Sequence, residues 1–327
     1  MPPLATLASA HAGVGEVPLC GWSRNLRLAN ETVELIVTLE VGPRILVYRK
    51  HGGFNPFNVY QDQAGSSSEP VWRNRGGHRL WMAPEDKVTT YHPDNIPLQW
   101  EQLGTHHVRL SPRPETATGI QKEIEILLDP VGTGVTVVHR VTRIAATPFT
   151  LAPWAISVMA AGGVAVVPQP ALGQHPRDLL PNRTLVLWPY TDLSDRRWSL
   201  GREYFTLTQD SDSKPAKIGL SLAPGWCGYW VAGVFFLKRF AWDPTAKYPD
   251  NGCNFEMFTN GRMLELESLA PLVELREGQS TEHREQWELL DVPVLTKEVM
   301  KAPADERCHP LLTADNFQLA TQRLKQI

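Results

Sequence analysis

Two acidic side chains near the C-terminal end of the chain, Glu265 and Glu267, are spaced so that both could act on one ligand. They alternate with Leu264 and Leu266, which is typical of a strand with one apolar and one acidic face. Side chains two residues apart on a strand point the same way and lie about 7 Å apart. Like charges at that distance repel each other, so either water solvates this face or a positive group or polar ligand covers it. The first alternative predicts an ordinary exposed strand, and the second predicts a carboxylate pair that lines a concave polar site.

Positive side chains that could balance this pair occur elsewhere in the chain. Arg79 and His78 are adjacent in a polar segment, and Lys217 and Lys238 each lie in a predicted strand. Burying two unpaired carboxylates would cost several kcal/mol, so charge balance predicts that Arg79, His78 and one of the two lysines converge on the face that carries Glu265. An arginine beside a carboxylate favours its ionised form, which can act as a base or accept a hydroxyl hydrogen bond. Each lysine could equally lie on a solvated surface.

The elements that must position these groups are predicted to be strands. Alternating segments bounded by turn residues recur along the chain at the spacing of a β-sandwich, which predicts an all-β protein. Asn260-Gly261 is a tight-turn dipeptide, and it joins two of these strands into the β-hairpin that carries Glu265. Between Arg73 and Asp94 the chain is dense in polar and aromatic residues, so we predict a long irregular segment there. Such loops on a β scaffold are where sites tend to lie.

The chain is predicted to form one large β domain with extensions, since it has no internal repeat and no clear linker. Residues 1–20 are predicted to form an N-terminal arm, either loose or paired as an edge strand. The β domain covers residues 21–292, and a C-terminal extension covers residues 293–327. Apolar residues from Phe317 to Leu324 recur at helical spacing, which predicts one short amphipathic helix in this extension.

Composition excludes several classes of protein. The chain has 327 residues, 42% of them hydrophobic, which is typical of a globular protein. Its net charge of −3 and the lack of a basic stripe argue against a nucleic-acid partner. The four cysteines are scattered and predict reduced thiols rather than a disulfide framework. No signal peptide is evident and no apolar run reaches the roughly 20 residues that span a bilayer, so we predict a cytoplasmic protein with no membrane partner.

No motif predicts a metal site or a cofactor. The chain lacks His-x-His and His-Glu-x-x-His spacings, and it lacks the nucleophile elbow, the P-loop and the dinucleotide fingerprint. His106-His107 lies in a polar connector and is predicted to be solvated. His139 alternates within a strand and is predicted to point outward, whereas His175 lies in a loop from which it could reach a site.

Four motifs occur in order between about residues 30 and 290. They are Gly76–Glu85 (GGHRLWMAPE), Pro153–Met159 (PWAISVM) followed by Gly162-Gly163, Gly252–Glu256 (GCNFE), and Leu264–Glu267 (LELE) followed by a Pro turn, a Gly turn and Trp287-Glu288-Leu289. Together they resemble the galactose mutarotase-like (aldose 1-epimerase-like) superfamily, in particular a bacterial branch of it. The resemblance implies a galactose mutarotase-like β-supersandwich. One fold hosts many functions, so these motifs are more specific for fold than for activity.

The resemblance also implies roles for individual residues. A mutarotase interconverts sugar anomers: a base takes the proton of the anomeric hydroxyl while an acid protonates the ring oxygen. Glu265 matches the family's base, and Arg79 matches its sugar-binding arginine. A histidine of the first catalytic loop matches His92 or His78, so both are catalytic candidates. The further candidate substrate-binding residues are Glu267, Lys217, Lys238, Trp81 and Glu256.

The family's general acid is a histidine midway along the chain, and this sequence departs from that pattern. The matching stretch, Trp154–Met159, contains no histidine. Methionine cannot donate a proton to a ring oxygen. Either another group supplies the acid, with Lys217 and Lys238 as substitutes, or the ordinary mutarotase reaction is lost.

Three functions therefore stay open. The first is an aldose-1-epimerase-like enzyme that acts on a small carbohydrate without a cofactor. The second is a non-catalytic carbohydrate-binding module or sensor on the same fold. The third is a glycan lyase or hydrolase, although the helical toroid domain that usually accompanies it has no room here. The eleven tryptophans either fill a wide core or offer faces for sugar C–H groups. A proton donor that faces Glu265 would distinguish the enzyme from the binding module, and the sequence does not predict an oligomeric state.

Overall fold

The computed structural model describes residues 12–212, 214–292, 294 and 296–312, which form 21 strands and three short helices. The strands are β1 Gly13–Leu19, β2 Trp22–Ala29, β3 Val33–Thr38, β4 Arg44–Lys50, β5 Gly77–Ala83, β6 Gln99–Gly104, β7 His107–Ser111, β8 Ile120–Leu128, β9 Val135–Arg143, β10 Phe149–Met159, β11 Val164–Pro168, β12 Leu185–Leu187, β13 Trp198–Leu200, β14 Tyr204–Thr208, β15 Ala216–Leu220, β16 Trp226–Val231, β17 Val234–Phe240, β18 Phe255–Asn260, β19 Met263–Leu269, β20 Val273–Leu275 and β21 Ser280–Asp291. The helices are α1 Pro249–Gly252, α2 Lys297–Lys301 and α3 Ala304–Leu312.

The strands form two antiparallel sheets that pack into a sandwich. The first sheet has the order β1-β2-β3-β4-β5-β10-β19-β18-β15-β12, and β20 also pairs with β10. The second has the order β13-β14-β11-β16-β17-β21-β9-β8-β7-β6. The predicted all-β sandwich is thus confirmed. β1 is an edge strand of the first sheet, and the helix predicted over Phe317–Leu324 lies outside the described residues.

The core lies between the two sheets and is built from strand residues in alternate positions. Leu264 and Leu266 of β19 are fully buried in it, as their alternation with the two glutamates predicts. Along β8, buried residues alternate strictly with half-buried ones, which is typical of a strand with one face on the core and one toward solvent. The hairpin of β18 and β19 also forms as predicted: Asn260 pairs with Met263, and the Asn260 side chain accepts hydrogen bonds from the backbone N–H groups of the turn.

Two local predictions are wrong. The segment from Arg73 to Asp94 is not wholly irregular, because it contains β5, whose seven residues are all buried. A strand that is buried on both faces shows no alternation of polar and apolar residues, so the pattern did not reveal it. His139 points inward rather than outward and is fully buried. It is in phase with Val137 and Val141, which also lie in the core.

All four cysteines fall within the described residues and are free, in agreement with the predicted reduced thiols. Three of them are buried. None of the described helices is both long and apolar enough to cross a membrane.

Candidate functional site

A charged and aromatic cluster lies on the face of the first sheet that points away from the second sheet. Leu80 and Leu266 enter the core, so their strand neighbours point to the opposite face. Strands β5, β10, β19, β18 and β15 are adjacent in that order, which brings together residues that are distant in sequence. We call the following residues the outer-face cluster: Arg79, Trp81, Lys217, Glu256, Glu265 and Glu267.

Arg79 and Glu265 form a salt bridge within this cluster. Arg79 Nη2 donates to Glu265 Oε1 over 3.0 Å, and the two residues are 2% and 6% exposed. The guanidinium carbon of Arg79 lies 4.3 Å from the ring centre of Trp81 and 5.3 Å from that of Trp72. Glu265 Oε2 makes no hydrogen bond to any residue that the structure describes, and it is not a buried atom. One oxygen of the carboxylate is therefore fixed by arginine, and the other is open to a ligand.

Lys217 joins the other two glutamates of the cluster. Its Nζ lies 2.7 Å from Glu256 Oε2 and 3.0 Å from Glu267 Oε2, between the rings of Trp154 and Trp188 at 4.6 and 4.7 Å. Burial raises the pKa of Glu256 well above its usual value, although Lys217 opposes the shift. Burial by itself would lower the pKa of Lys217, but the carboxylates outweigh it and raise that pKa. Burial raises the pKa of Glu267 as well, but Glu267 accepts hydrogen bonds from Trp154 Nε1 and Lys217 Nζ, whereas neither oxygen of Glu256 has a hydrogen-bond partner among the described residues. Because one lysine neutralises one carboxylate, we assign the ion pair to Lys217 and Glu267 and the proton to Glu256.

Aromatic rings form a wall beside the salt bridge. Trp81 lies 4.8 Å from Trp72, 4.9 Å from Tyr91 and 5.4 Å from Trp154, measured between ring centres. Beyond this wall is a pocket of about 440 Å³, and half-buried His92 lies in its lining. Among the described residues, no hydrogen bond or ion pair joins His92 to Glu265. His92 thus borders the neighbouring pocket, and its catalytic role stays a prediction.

The prediction that His78 joins this face is wrong, and of the two candidate lysines Lys217 lies there while Lys238 does not. Consecutive residues of a strand point to opposite faces, so His78 points into the core while Arg79 points outward. His78 Nδ1 lies 2.9 Å from Ser157 Oγ, and both residues are fully buried. Lys238 belongs to β17 of the second sheet, and its Nζ lies 2.6 Å from Glu285 Oε1 between the sheets.

A hydrogen-bonded network between the sheets accounts for these two residues. We call it the interior cluster: His78, His139, Ser157, Lys238, Ser268, His283 and Glu285. His139 Nδ1 lies 3.0 Å from the carbonyl oxygen of His283 and must donate to it, so in the neutral ring Nε2 accepts from His78 Nε2 at 2.6 Å. Burial lowers the pKa of all three histidines, that of His283 to about 3. Burial would raise the pKa of Glu285, but Lys238 and the histidines outweigh it, and the pKa lies below its usual value.

Part of the interior cluster has a donor set that a metal could use. Ligand atoms of His78, His139 and Glu285 lie within 4.8 Å of one another, and zinc accepts such ligands. Two nitrogens bound to one tetrahedral zinc ion would be about 3.3 Å apart, whereas the two histidine nitrogens are 2.6 Å apart. Lys238 already neutralises Glu285, so a divalent ion would leave uncompensated charge in the core. The arrangement fits a proton-sharing network better than a metal centre.

Sequence reasoning missed several residues of the two clusters. Trp154 donates from Nε1 to Glu267 Oε2 over 3.0 Å. Trp154 begins the Trp154–Met159 stretch that lacks the family's histidine. It is in phase with Ile156 on β10, so the alternation of the strand could have predicted which face it lies on. Glu285 is in phase with buried Trp287 and Leu289 on β21, and that pattern marked it as inward-facing. Trp188 lies in a loop, and no signal in the sequence placed it beside Lys217.

Comparisons with solved structures identify proteins of similar fold. The chain matches a galactose mutarotase-like protein from Lactobacillus casei with a TM-score of 0.55 and 10% identity, covering 81% of this chain and 100% of that one. It matches a galactose mutarotase-like protein from Clostridium acetobutylicum with a TM-score of 0.52 and 9% identity, covering 86% and 99%.

A third match is a TPR-domain containing protein from Parabacteroides distasonis, with a TM-score of 0.57 and 13% identity. The match covers 86% of this chain but only 49% of that larger one. Neither a family model nor a curated protein sequence matches the chain. Identities of 9–13% relate the proteins by fold alone. The chain has the galactose mutarotase-like fold.

Proposed function

We propose that this protein binds a small carbohydrate at the outer-face cluster and acts on it as an aldose-1-epimerase-like enzyme, with Glu265 as the general base. The observation that carries the proposal is the state of Glu265: Arg79 holds Oε1 at 3.0 Å, while Oε2 has no partner among the described residues. A carboxylate that is oriented by one oxygen and open at the other is suited to take the proton of a sugar hydroxyl. The half-buried ring of Trp72, which packs on buried Trp81, provides apolar surface for sugar C–H groups.

Ring opening also needs a proton donor for the ring oxygen. Lys217 is not free to donate, because its ammonium group is already bound between Glu256 and Glu267. Tyr60 packs on Val158, which pairs directly with Glu265 in the sheet. Burial and the charge of Glu265 raise the pKa of Tyr60 to about 12, so the phenol keeps its proton at neutral pH. Tyr60 is therefore the donor that we assign on this face.

A non-catalytic carbohydrate-binding module is the second candidate. It is favoured by the location of the histidines: His78 and His139 lie in the interior cluster, and His92 borders the neighbouring pocket. Without a histidine at the salt bridge, Glu265 and Arg79 would serve as hydroxyl acceptor and donor for a bound sugar.

Exchange NMR on a panel of reducing sugars tests the proposal. The wild type should accelerate anomer exchange, and Glu265→Gln should abolish the acceleration while sugar binding stays within about tenfold, or 1.4 kcal/mol. Tyr60→Phe should slow exchange without loss of binding. Glu277→Gln, which alters an exposed turn glutamate, is the matched control and should behave as wild type.

The outcomes separate the two candidates. A wild type that binds sugar without accelerating exchange, and whose affinity falls in Glu265→Gln, is the binding module. A protein that binds no sugar of the panel contradicts both.

A further inference from the structure

The pocket beyond the aromatic wall has no role in the proposed chemistry. It has a volume of about 440 Å³, which exceeds what a few ordered waters need. Two chain segments form it: Pro70, Val71 and Trp72 from one, and Lys87, Val88, Tyr91, His92 and Pro93 from the other. Its place in the fold raises the question of what it holds.

The pocket shares a wall with the outer-face cluster. The ring of Trp72 lines the pocket, and its centre lies 5.3 Å from the guanidinium carbon of Arg79, which in turn binds Glu265. Tyr91 also lines the pocket, and its ring centre lies 4.9 Å from that of Trp81. Trp72 and Tyr91 therefore border both the pocket and the outer-face cluster, so the pocket lies directly beside the proposed sugar site.

Most residues of the pocket lining are apolar or aromatic, Lys87 and His92 are its polar members, and part of the lining is uncovered. Val71 is 53% exposed and Val88 is 71% exposed, although both line the same concavity. The two prolines of the lining have no N–H to offer a polar ligand. Trp72 Nε1 is a buried donor without an acceptor among the residues that the structure describes, so the ring presents its apolar part to the pocket.

We propose that this pocket binds an apolar substituent, aryl or short acyl, that a sugar carries through an ether or ester oxygen. The inference rests on the proposed function and narrows its substrate class to apolar-substituted sugars. An aldose 1-epimerase needs a free anomeric hydroxyl, so the substituent is attached at a position other than the anomeric carbon.

Binding of matched sugars by calorimetry tests this assignment. The probes are glucose and galactose, their 2-, 3-, 4- and 6-O-benzyl ethers, and their 6-phosphates. We expect at least one benzyl ether to bind tenfold or more tighter than its parent sugar, because the ring leaves water for an apolar pocket. Val88→Asp should remove most of that gain and leave the affinity for the parent sugar unchanged. Val131→Asp is the matched control, since Val131 is 77% exposed in a turn outside the pocket lining, and it should retain the gain.

The remaining outcomes overturn the inference in different ways. If the parent sugars bind and no benzyl ether gains affinity, or if Val88→Asp retains the gain, the pocket is not the substituent site, and the proposed function stands without it. If only the 6-phosphates gain, Lys87 and His92 make it an anion site, and the apolar assignment is wrong. If no sugar binds at all, the proposed function itself fails.

Discussion

Among the described residues, Lys217 is the one cation in contact with Glu256 and Glu267, and replacing it by methionine removes this charge while keeping an unbranched side chain between Trp154 and Trp188. Glu267 would keep its bond from Trp154 Nε1 but lose its counter-charge. A buried carboxylate without a partner takes up a proton rather than stay charged. The ordinary pKa of a glutamate is 4.5, so at pH 7 this uptake costs at most about 3.4 kcal/mol, and at pH 5 about 0.7 kcal/mol.

The stability that Lys217→Met loses relative to wild type should therefore increase as the pH rises. A protonated Glu267 in the folded variant has a pKa above its unfolded value, so its contribution to stability is present below pH 4.5 and is lost as the pH rises. Urea denaturation of wild type and Lys217→Met at pH 5, 6 and 7 measures the difference. We expect the deficit of the variant to grow by about 1.4 kcal/mol per pH unit. The double variant Lys217→Met/Glu267→Gln carries no orphaned carboxylate, so its difference from wild type should not change with pH. A deficit in the single variant that is equal at pH 5 and pH 7 would refute the reasoning.

Two further predictions concern the interior cluster. Burial lowers the folded-state pKa of His78, His139 and His283, so the unfolded chain binds up to three more protons than the folded chain below about pH 6.5. The free energy of unfolding, measured in urea, should therefore fall as the pH falls from 7 to 5, by up to about 4 kcal/mol per pH unit. A free energy that does not change with pH would contradict the buried neutral histidines. Glu285→Gln leaves the fully buried ammonium of Lys238 unpaired and should lower the free energy of unfolding by about 3–5 kcal/mol in chemical denaturation at pH 7. A loss below about 1 kcal/mol, which is the range of ordinary surface changes, would contradict this prediction.

Local periodicity predicted the parts of the site that lie within one element. The alternation along β19 placed Glu265 and Glu267 on one face and Leu264 and Leu266 in the core, and the structure confirms both. Charge balance then predicted that cations cover the two carboxylates, and they do: Arg79 lies on one of them and a lysine on the other.

The order of the strands in the two sheets determined contacts between strands that local periodicity could not predict. Lys217 and Lys238 both lie in strands, and their local sequences do not say which lysine meets Glu267. The choice follows from pairing at long range: β15 pairs with β18 in the first sheet, whereas β17 belongs to the second. The misplacement of His78 had a different cause, because the segment was interpreted as irregular. Once β5 is known to be a strand, adjacent His78 and Arg79 must point to opposite faces.

A crystal structure of the protein with a bound reducing sugar would test the central claim most directly. The decisive quantity is the distance from Glu265 Oε2 to the anomeric hydroxyl of the sugar. We expect 2.6–3.2 Å, the range of a hydrogen bond that can pass a proton, with the sugar ring beside Trp72. A sugar bound elsewhere, with Glu265 still paired to Arg79 and contacting only protein, would contradict it.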